Sequence, residues 1–203
     1  MIDFYNWPTP NGQRAQIMLE ETNLEYELHL VKLSEGEQFS AEFLAVNPNG
    51  KIPAMVDRDG PDGSVTIFES GAMLLYLAEK SGQFLPSETH RRWQAISWMM
   101  FHAAGVGPNF GHAGYYRNRA PEPVPAAAER FSKEVGRLFT VIEGQLGEEE
   151  FLAGTYSIAD IAGFPWLRMY ERMGIAIDQF PSVARWLQTI AQRPAVQRVL
   201  KDS

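Results

Sequence analysis

Residues 47–53, Asn47-Pro48-Asn49-Gly50-Lys51-Ile52-Pro53, with Phe68-Glu69-Ser70 further on, decide how this chain folds. Pro48 disfavours helical backbone at Asn47, and Asn49-Gly50 favours a turn, so a short helix carrying Phe39, Phe43 and Leu44 must stop here. Two strands are predicted next, over residues 51–57 and 65–69. Between them, Asp59-Gly60-Pro61-Asp62-Gly63 has the composition of a hairpin loop. Ser70 then caps a helix in which Met73, Leu74, Leu77 and Ala78 keep helical spacing, and Gly82 ends it.

Toward the N-terminus, Tyr26, Leu28 and Leu30 alternate as a strand. A helix precedes it, with Asn11 as its expected N-cap and Ala15, Met18, Leu19 and Thr22 at i, i+3, i+4, i+7. The aromatic run over residues 2–7 reads as a first strand, broken by Pro8-Thr9-Pro10-Asn11-Gly12. Beyond Pro86 the periodicity is helical throughout, as in Phe131, Val135, Leu138, Ile142 and in Val183, Trp186, Leu187, Ile190. The Gly- and Pro-rich residues 105–125 are expected to be irregular, either a ligand-gripping loop with His112, Tyr115 and Tyr116 or a solvated connector. The order is therefore β-α-β-α-β-β-α followed by an all-helical domain. Leu85-Pro86-Ser87 divides the chain into residues 1–85 and 86–203.

At 203 residues and 45% apolar, the chain can bury a core without staples. The absence of cysteine excludes disulfides, Cys-ligated zinc, iron–sulfur clusters and any protein thiol nucleophile. A net charge of −7 repels phosphate backbones and anionic membranes, which argues against nucleic-acid and membrane partners. No basic n-region precedes an apolar core, and no apolar run reaches the roughly 18 residues of a span, so a cytoplasmic protein is expected.

Three places carry candidate chemistry, each beside an ordinary structural reading. Pro53 at a strand start is either a plain edge proline or a cis proline that turns the Ile52 backbone outward toward a peptide ligand. Glu69-Ser70 at a strand-to-helix junction is either a simple N-cap or a site for an amino-acid zwitterion, the helix start taking the carboxylate and Glu69 the ammonium. Thr9-Pro10-Asn11-Gly12 is either a capped helix start or a place where a hydroxyl, an amide and a helix dipole stabilise a thiolate. The four histidines, His29, His90, His102 and His112, lack the spacing and carboxylate companions of a metal site, so no metal is expected. Trp93, Trp98 and Trp186 read as core, and Ser157-Ile158-Ala159-Asp160 reads as a capping box.

Taken in series, Pro8-Thr9-Pro10-Asn11-Gly12, residues 47–53, Phe68-Glu69-Ser70 and Tyr156-Ser157-Ile158-Ala159-Asp160 resemble a glutathione transferase over nearly the whole chain. Within that superfamily, Thr9-Pro10-Asn11-Gly12 and Gln38-Phe39 resemble the nu class, glutathione-dependent disulfide-bond oxidoreductases. The resemblance implies a thioredoxin-like N-terminal domain, an all-helical C-terminal domain, a homodimer, and glutathione as cosubstrate. It implies that Thr9 and Asn11 face the sulfur, and that Asn11, Gln38, Lys51, Ile52, Pro53, Glu69, Ser70 and, from the partner subunit, Arg130 bind glutathione. Trp7, His112, Tyr115 and Tyr116 would line the acceptor pocket, which takes a small disulfide or an electrophile. Classes with a catalytic Tyr, Ser or Cys differ here, because Tyr5 lies within the strand and Thr9 holds the expected position. The implied activity is reduction of disulfides by the thiolate of bound glutathione. The alternatives are conjugation of electrophiles and a non-catalytic glutathione-binding regulatory module.

Overall fold

The central strand is β1 (Ile2–Asn6), whose Ile2 and Phe4 are fully enclosed. In this computed structural model, which describes residues 1–201, β1 pairs parallel with β2 (Tyr26–Leu30) and antiparallel with β3 (Ala54–Gly60). β4 (Gly63–Phe68) completes a sheet of order β2-β1-β3-β4, the expected thioredoxin-like arrangement. The hairpin between β3 and β4 is tighter than the sequence suggested. Gly60 pairs with Gly63, and Gly63 adopts φ 113, so Pro61 and Asp62 form the two-residue turn, with an irregularity in the register between Asp57 and Gly60.

α1 (Pro10–Thr22) and α3 (Ser70–Ser81) pack together beside this sheet, while α2 (Ala41–Val46), capped by the Ser40 hydroxyl, ends at Asn47 as Pro48 requires. Two caps differ from expectation by a residue or two. Thr9, not Asn11, caps α1, because the fixed φ of Pro10 suits the first helical position and leaves the preceding residue as cap. Glu69, not Ser70, is the N-cap residue of α3, and Ser70 is already helical. Behind the sheet, buried Asp57 accepts from Tyr76 Oη and Lys80 Nζ at 2.7 Å each, tying α3 to β3.

The second unit, residues 84–193, is helical. It holds α4 (Thr89–Phe101), a π turn (His102–Val106), α5 (Gly107–Asn118), α6 (Pro125–Glu148), α7 (Ile158–Leu167) and α8 (Pro181–Ala191). Most of the stretch expected to be irregular is therefore helix, with 119–124 left between α5 and α6. Pro108 is the second residue of α5, directly after the π turn that joins α4 to α5 without a break, and Gly107 and Gly114 lie close to Trp166 and Met173. Trp186 is core, whereas Trp93 is 61% exposed on the outer face of α4. The capping box forms as expected, with Ser157 at the N-cap of α7 and Asp160 answering it. α9 (Pro194–Lys201), which the sequence division grouped with the helical half, belongs to the first unit. It lies on α1, where Arg198 meets Glu20 at 2.5 Å and the Glu20 carbonyl at 3.3 Å.

Candidate functional site

One end of the sheet gathers the first unit's candidate residues. Tyr5 pairs with Ala54, and Ala54 pairs with Phe68, so these three residues form a row across β1, β3 and β4. One step beyond that row, β1 leads into Trp7-Pro8-Thr9, β3 is entered from Ile52-Pro53, and β4 leads into Glu69-Ser70. The parallel partner β2 leaves the sheet at the same end, since Asn6 pairs with Leu30, and continues toward Gln38. Segments distant in sequence thus meet because adjacent strands start or stop together.

At α1, the Gly12 amide donates to Thr9 Oγ1 at 3.2 Å. A capping hydroxyl that accepts this bond keeps its own proton for another partner. Asn11 lies half-buried as the second residue of the helix, and its Oδ1 accepts from Arg14 Nη2 at 2.6 Å. Arg14 was not among the expected site residues, although it precedes the core residue Met18 by four positions and so shares its buried face. Only 2% of Arg14 is exposed, and its Nε has no partner. Burial pulls the guanidinium down to about 10, against the opposing field of the Glu69 carboxylate.

The loop before β3 carries a cis Ile52–Pro53 bond, with Pro53 buried, Ile52 half-buried and Lys51 exposed. Asn47, whose role the sequence reading does not assign, organises it. Its Nδ2 donates to the Lys51 carbonyl at 2.6 Å and its Oδ1 accepts from the Asn49 amide at 3.0 Å. The signal was the Asn-Pro-Asn-Gly run itself, since Asn side chains commonly bond the backbone two residues on. Gln38 is half-buried in a short 3-10 turn, and its Oε1 is enclosed without a partner.

Glu69 adopts φ 70, ψ 112, a conformation that costs a non-glycine residue on the order of 1–3 kcal/mol. Ser70 beside it is buried, and the amides of Ser70, Gly71 and Ala72 begin α3, the first intrahelical bond being Met73 N–H to the Glu69 carbonyl. An exposed carboxylate and a positively polarised helix start therefore adjoin, as an amino-acid zwitterion requires.

In the second unit, three of the expected acceptor residues form one aromatic group. Rings of His112 and Tyr116 both stack on Phe131, at 4.8 and 5.6 Å, and Tyr115 meets Tyr116 edge-on at 5.1 Å. Arg130, next to Phe131 on α6, is exposed. Trp7, the fourth, belongs to the first unit and is half-buried.

One expectation about the histidines fails. β1–β2 pairing sets His29 Nε2 3.0 Å from Asp3 Oδ1, and with Glu27 these residues offer three ligand atoms within 4.8 Å of one another. Arg58 Nε bonds Asp3 at 2.6 Å, and its guanidinium lies 3.9 Å from Glu27, so the chain itself already supplies a cation there. The Arg58 hydrogen bond leads the effects that hold Asp3 below the usual carboxylate range.

Residues 2–79 match the family model for the glutathione S-transferase N-terminal domain, and residues 98–194 match that for its C-terminal domain. The disulfide-bond oxidoreductase YfcG of Escherichia coli strain K12 is 43% identical over 203 residues, covering 98% of this chain and 94% of that protein. A glutathione transferase from Burkholderia graminis, with two glutathione molecules bound per subunit, aligns with TM-score 0.93 at 44% identity. That match covers 98% of this chain and 87% of the other. A second, from Pseudomonas putida with one glutathione disulfide bound per subunit, aligns with TM-score 0.95 at 42% identity, covering 98% and 90%.

Proposed function

The chain belongs to the glutathione S-transferase family, and from that premise we propose that it is a glutathione-dependent disulfide reductase whose nucleophile is the thiolate of bound glutathione. The observation that carries this reading is the Thr9 cap. Its hydroxyl accepts from the Gly12 amide and so keeps a proton to donate to sulfur, beside the half-buried Asn11, at the positive end of α1. A chain without cysteine performs thiol–disulfide exchange only with a borrowed sulfur. The thiolate attacks one sulfur of the substrate disulfide, a new S–S bond forms as the old one breaks, and the leaving thiolate takes a proton from solvent. A second glutathione thiolate then attacks the mixed disulfide and releases the other half of the substrate, leaving oxidised glutathione. Two glutathione thiols are oxidised for each disulfide reduced.

In this reading Glu69 takes the γ-glutamyl ammonium, and Ser70 with the first amides of α3 takes the carboxylate. The Ile52 backbone beside cis Pro53 pairs with the cysteinyl residue, and Gln38 and Lys51 meet the glycyl end. Arg130 reaches a glutathione carboxylate from the partner subunit of a homodimer. The exposed Trp93 and Met100, seven residues apart on α4, support such a pairing. His112, Tyr115 and Tyr116, grouped about Phe131, are the second unit's acceptor-binding residues, and Trp7 is the first unit's. Among the described residues no helix is long and apolar enough to cross a membrane, and a cytoplasmic location follows the usual setting of cysteine-free, glutathione-using chemistry.

Glutathione-dependent reduction of 2-hydroxyethyl disulfide, run beside conjugation of chlorodinitrobenzene on one purified sample, tests the reading. Strong reduction with weak conjugation is expected. The reverse would make the protein a conjugating transferase, and glutathione binding without either activity would make it a binding module.

A further inference from the structure

Arg14 is a cation with an unusual placement. It is 2% exposed, yet among the described residues no carboxylate pairs with it. Nη2 donates to an amide oxygen, that of Asn11 at 2.6 Å, and Nε is enclosed without a partner. Buried arginines are normally matched by an anion, because an isolated charge is costly to remove from water. Several charged groups on the surrounding elements are committed to one another. On β1, Asp3 is taken by Arg58 and His29; on β3, Asp57 by Lys80; on α9, Arg198 by Glu20. Glu69, at the head of α3, acts on Arg14 through its field without a hydrogen bond. Arg14 also lies near the N-terminal end of its own helix, so two sources of positive potential coincide at one place. That arrangement is unfavourable unless an anion arrives there.

The contact with Asn11 fixes a second property. A carboxamide has an accepting face and a donating face, and a guanidinium only donates. With Oδ1 held by Arg14, the donating Nδ2 is turned to the opposite side. The reverse orientation would set a lone-pair oxygen against a thiolate.

We propose that Arg14 is a positioning residue that locks the Asn11 carboxamide in its donating orientation and supplies the fixed positive charge that favours ionisation of the bound glutathione thiol. The proposal rests on the reading of Thr9 and Asn11 as the thiolate site, and deepens it. Arg14 acts through Asn11 and through its field, and the thiol proton leaves to solvent.

The test follows the ultraviolet absorbance of bound glutathione thiolate against pH in the wild type, Arg14→Met and Arg14→Lys, with binding of S-methylglutathione, which has no thiol proton, measured in parallel. In the wild type the thiol is expected to ionise well below the range of free glutathione. Arg14→Met is expected to raise the midpoint by about one pH unit or more, and to shift the pH profile of kcat/KM with it, while S-methylglutathione affinity changes less than about threefold. Arg14→Lys, which keeps the charge, is expected to stay within about half a unit of wild type. If Arg14→Met does not fold, Arg14→Gln is read in its place with the same expectation. A neutral variant whose midpoint is unmoved overturns the proposal, as does one that loses S-methylglutathione binding with no change in midpoint, the mark of a purely structural arginine. A wild type whose bound thiol ionises no more readily than free glutathione overturns instead the reading of Thr9 and Asn11 on which the proposal stands.

Discussion

A β-carbon on Gly12 would lie 2.0 Å from Asn6 Oδ1, so the start of α1 presses against the end of β1 with no room for a side chain. The Trp7 carbonyl, at 2.4 Å from the same point, closes the space from the backbone side. Gly12→Ala must therefore push the first turn of α1 off the strand. A cost of about 1–3 kcal/mol is expected, lowering Tm by about 2–4 °C per kcal/mol for a chain of this size. Because the Gly12 amide holds Thr9 Oγ1, the displacement also moves the hydroxyl proposed to face sulfur, and disulfide reduction should fall at least about tenfold. Thermal unfolding and steady-state rates check both. Adding Asn6→Ala should return part of the stability, since the nearest obstacle is a side chain, but not all of it, since the Trp7 carbonyl remains.

Much of this geometry is legible in the sequence, and the parts that are not have particular causes. Periods of two and of 3.6 separate the two halves, and Asn47-Pro48-Asn49-Gly50 ends α2 where backbone sterics demand. The cap of α1 is ambiguous in the sequence because Asn and Thr both cap well, and Pro10 decides between them only through its preference for the first helical position. Residues 105–125 look irregular by Gly and Pro content, yet Gly107 serves the approach of Trp166, a tertiary fact, and Pro108 directly follows a π turn that local spacing does not announce. Arg14 was visible as a charge on the buried face of α1, though not what it bonds. The return of α9 to α1, and the meeting of Asp160 with Trp186, depend on chain paths that no local spacing encodes.

Asp160 is enclosed and accepts from the Leu152 and Ser157 amides, the Ser157 hydroxyl and Trp186 Nε1, the last at 2.8 Å. Burial nevertheless pushes it up to about 6, from an ordinary value of 3.8. The folded chain thus holds this proton more tightly than the unfolded one. The stability it contributes is complete below about pH 4 and is lost as pH rises through about 6, a swing of at most about 3 kcal/mol. Urea unfolding of wild type and Asp160→Asn at acidic and neutral pH is the check. The wild type's advantage over the variant should be larger on the acidic side, and an advantage that grows toward neutral pH would mean that the four donors outweigh burial.

Asn47 links the end of α2 to the loop that carries cis Pro53, through bonds to the Lys51 carbonyl and the Asn49 amide. It is 2% exposed, and Asn47→Ala removes both bonds, leaving the backbone of the exposed Asn49 and Lys51 held by water alone and a small void where the side chain was. About 1–3 kcal/mol of stability should be lost, with a several-fold rise in KM for glutathione from a loosened Ile52 backbone. Asn47→Asp separates the two bonds. It keeps the acceptor for Asn49 but sets a carboxylate oxygen against the Lys51 carbonyl, and should be at least as damaging as alanine. Chemical denaturation with glutathione titration measures both, and an undisturbed KM in either variant would detach this side chain from the site.

Glu69 holds φ 70 although it carries a β-carbon, and it does so at the head of α3 beside Ser70. Strain of this kind persists where surrounding structure or function requires it, and glycine relieves it. Glu69→Gly is therefore expected to leave folding stability unchanged or to raise it by up to about 1 kcal/mol, the relief being partly offset by the greater freedom of the unfolded chain. The same change removes the carboxylate proposed to hold the γ-glutamyl ammonium, and glutathione affinity should fall about tenfold or more, as for other charged hydrogen bonds. Glu69→Gln keeps the strained backbone and the side-chain length while removing the charge, so it should lose affinity without gaining stability. Calorimetric binding and thermal unfolding of the two variants separate strain from charge. A Glu69→Gly protein that binds as tightly as wild type would show that neither the carboxylate nor the backbone it strains serves the ligand.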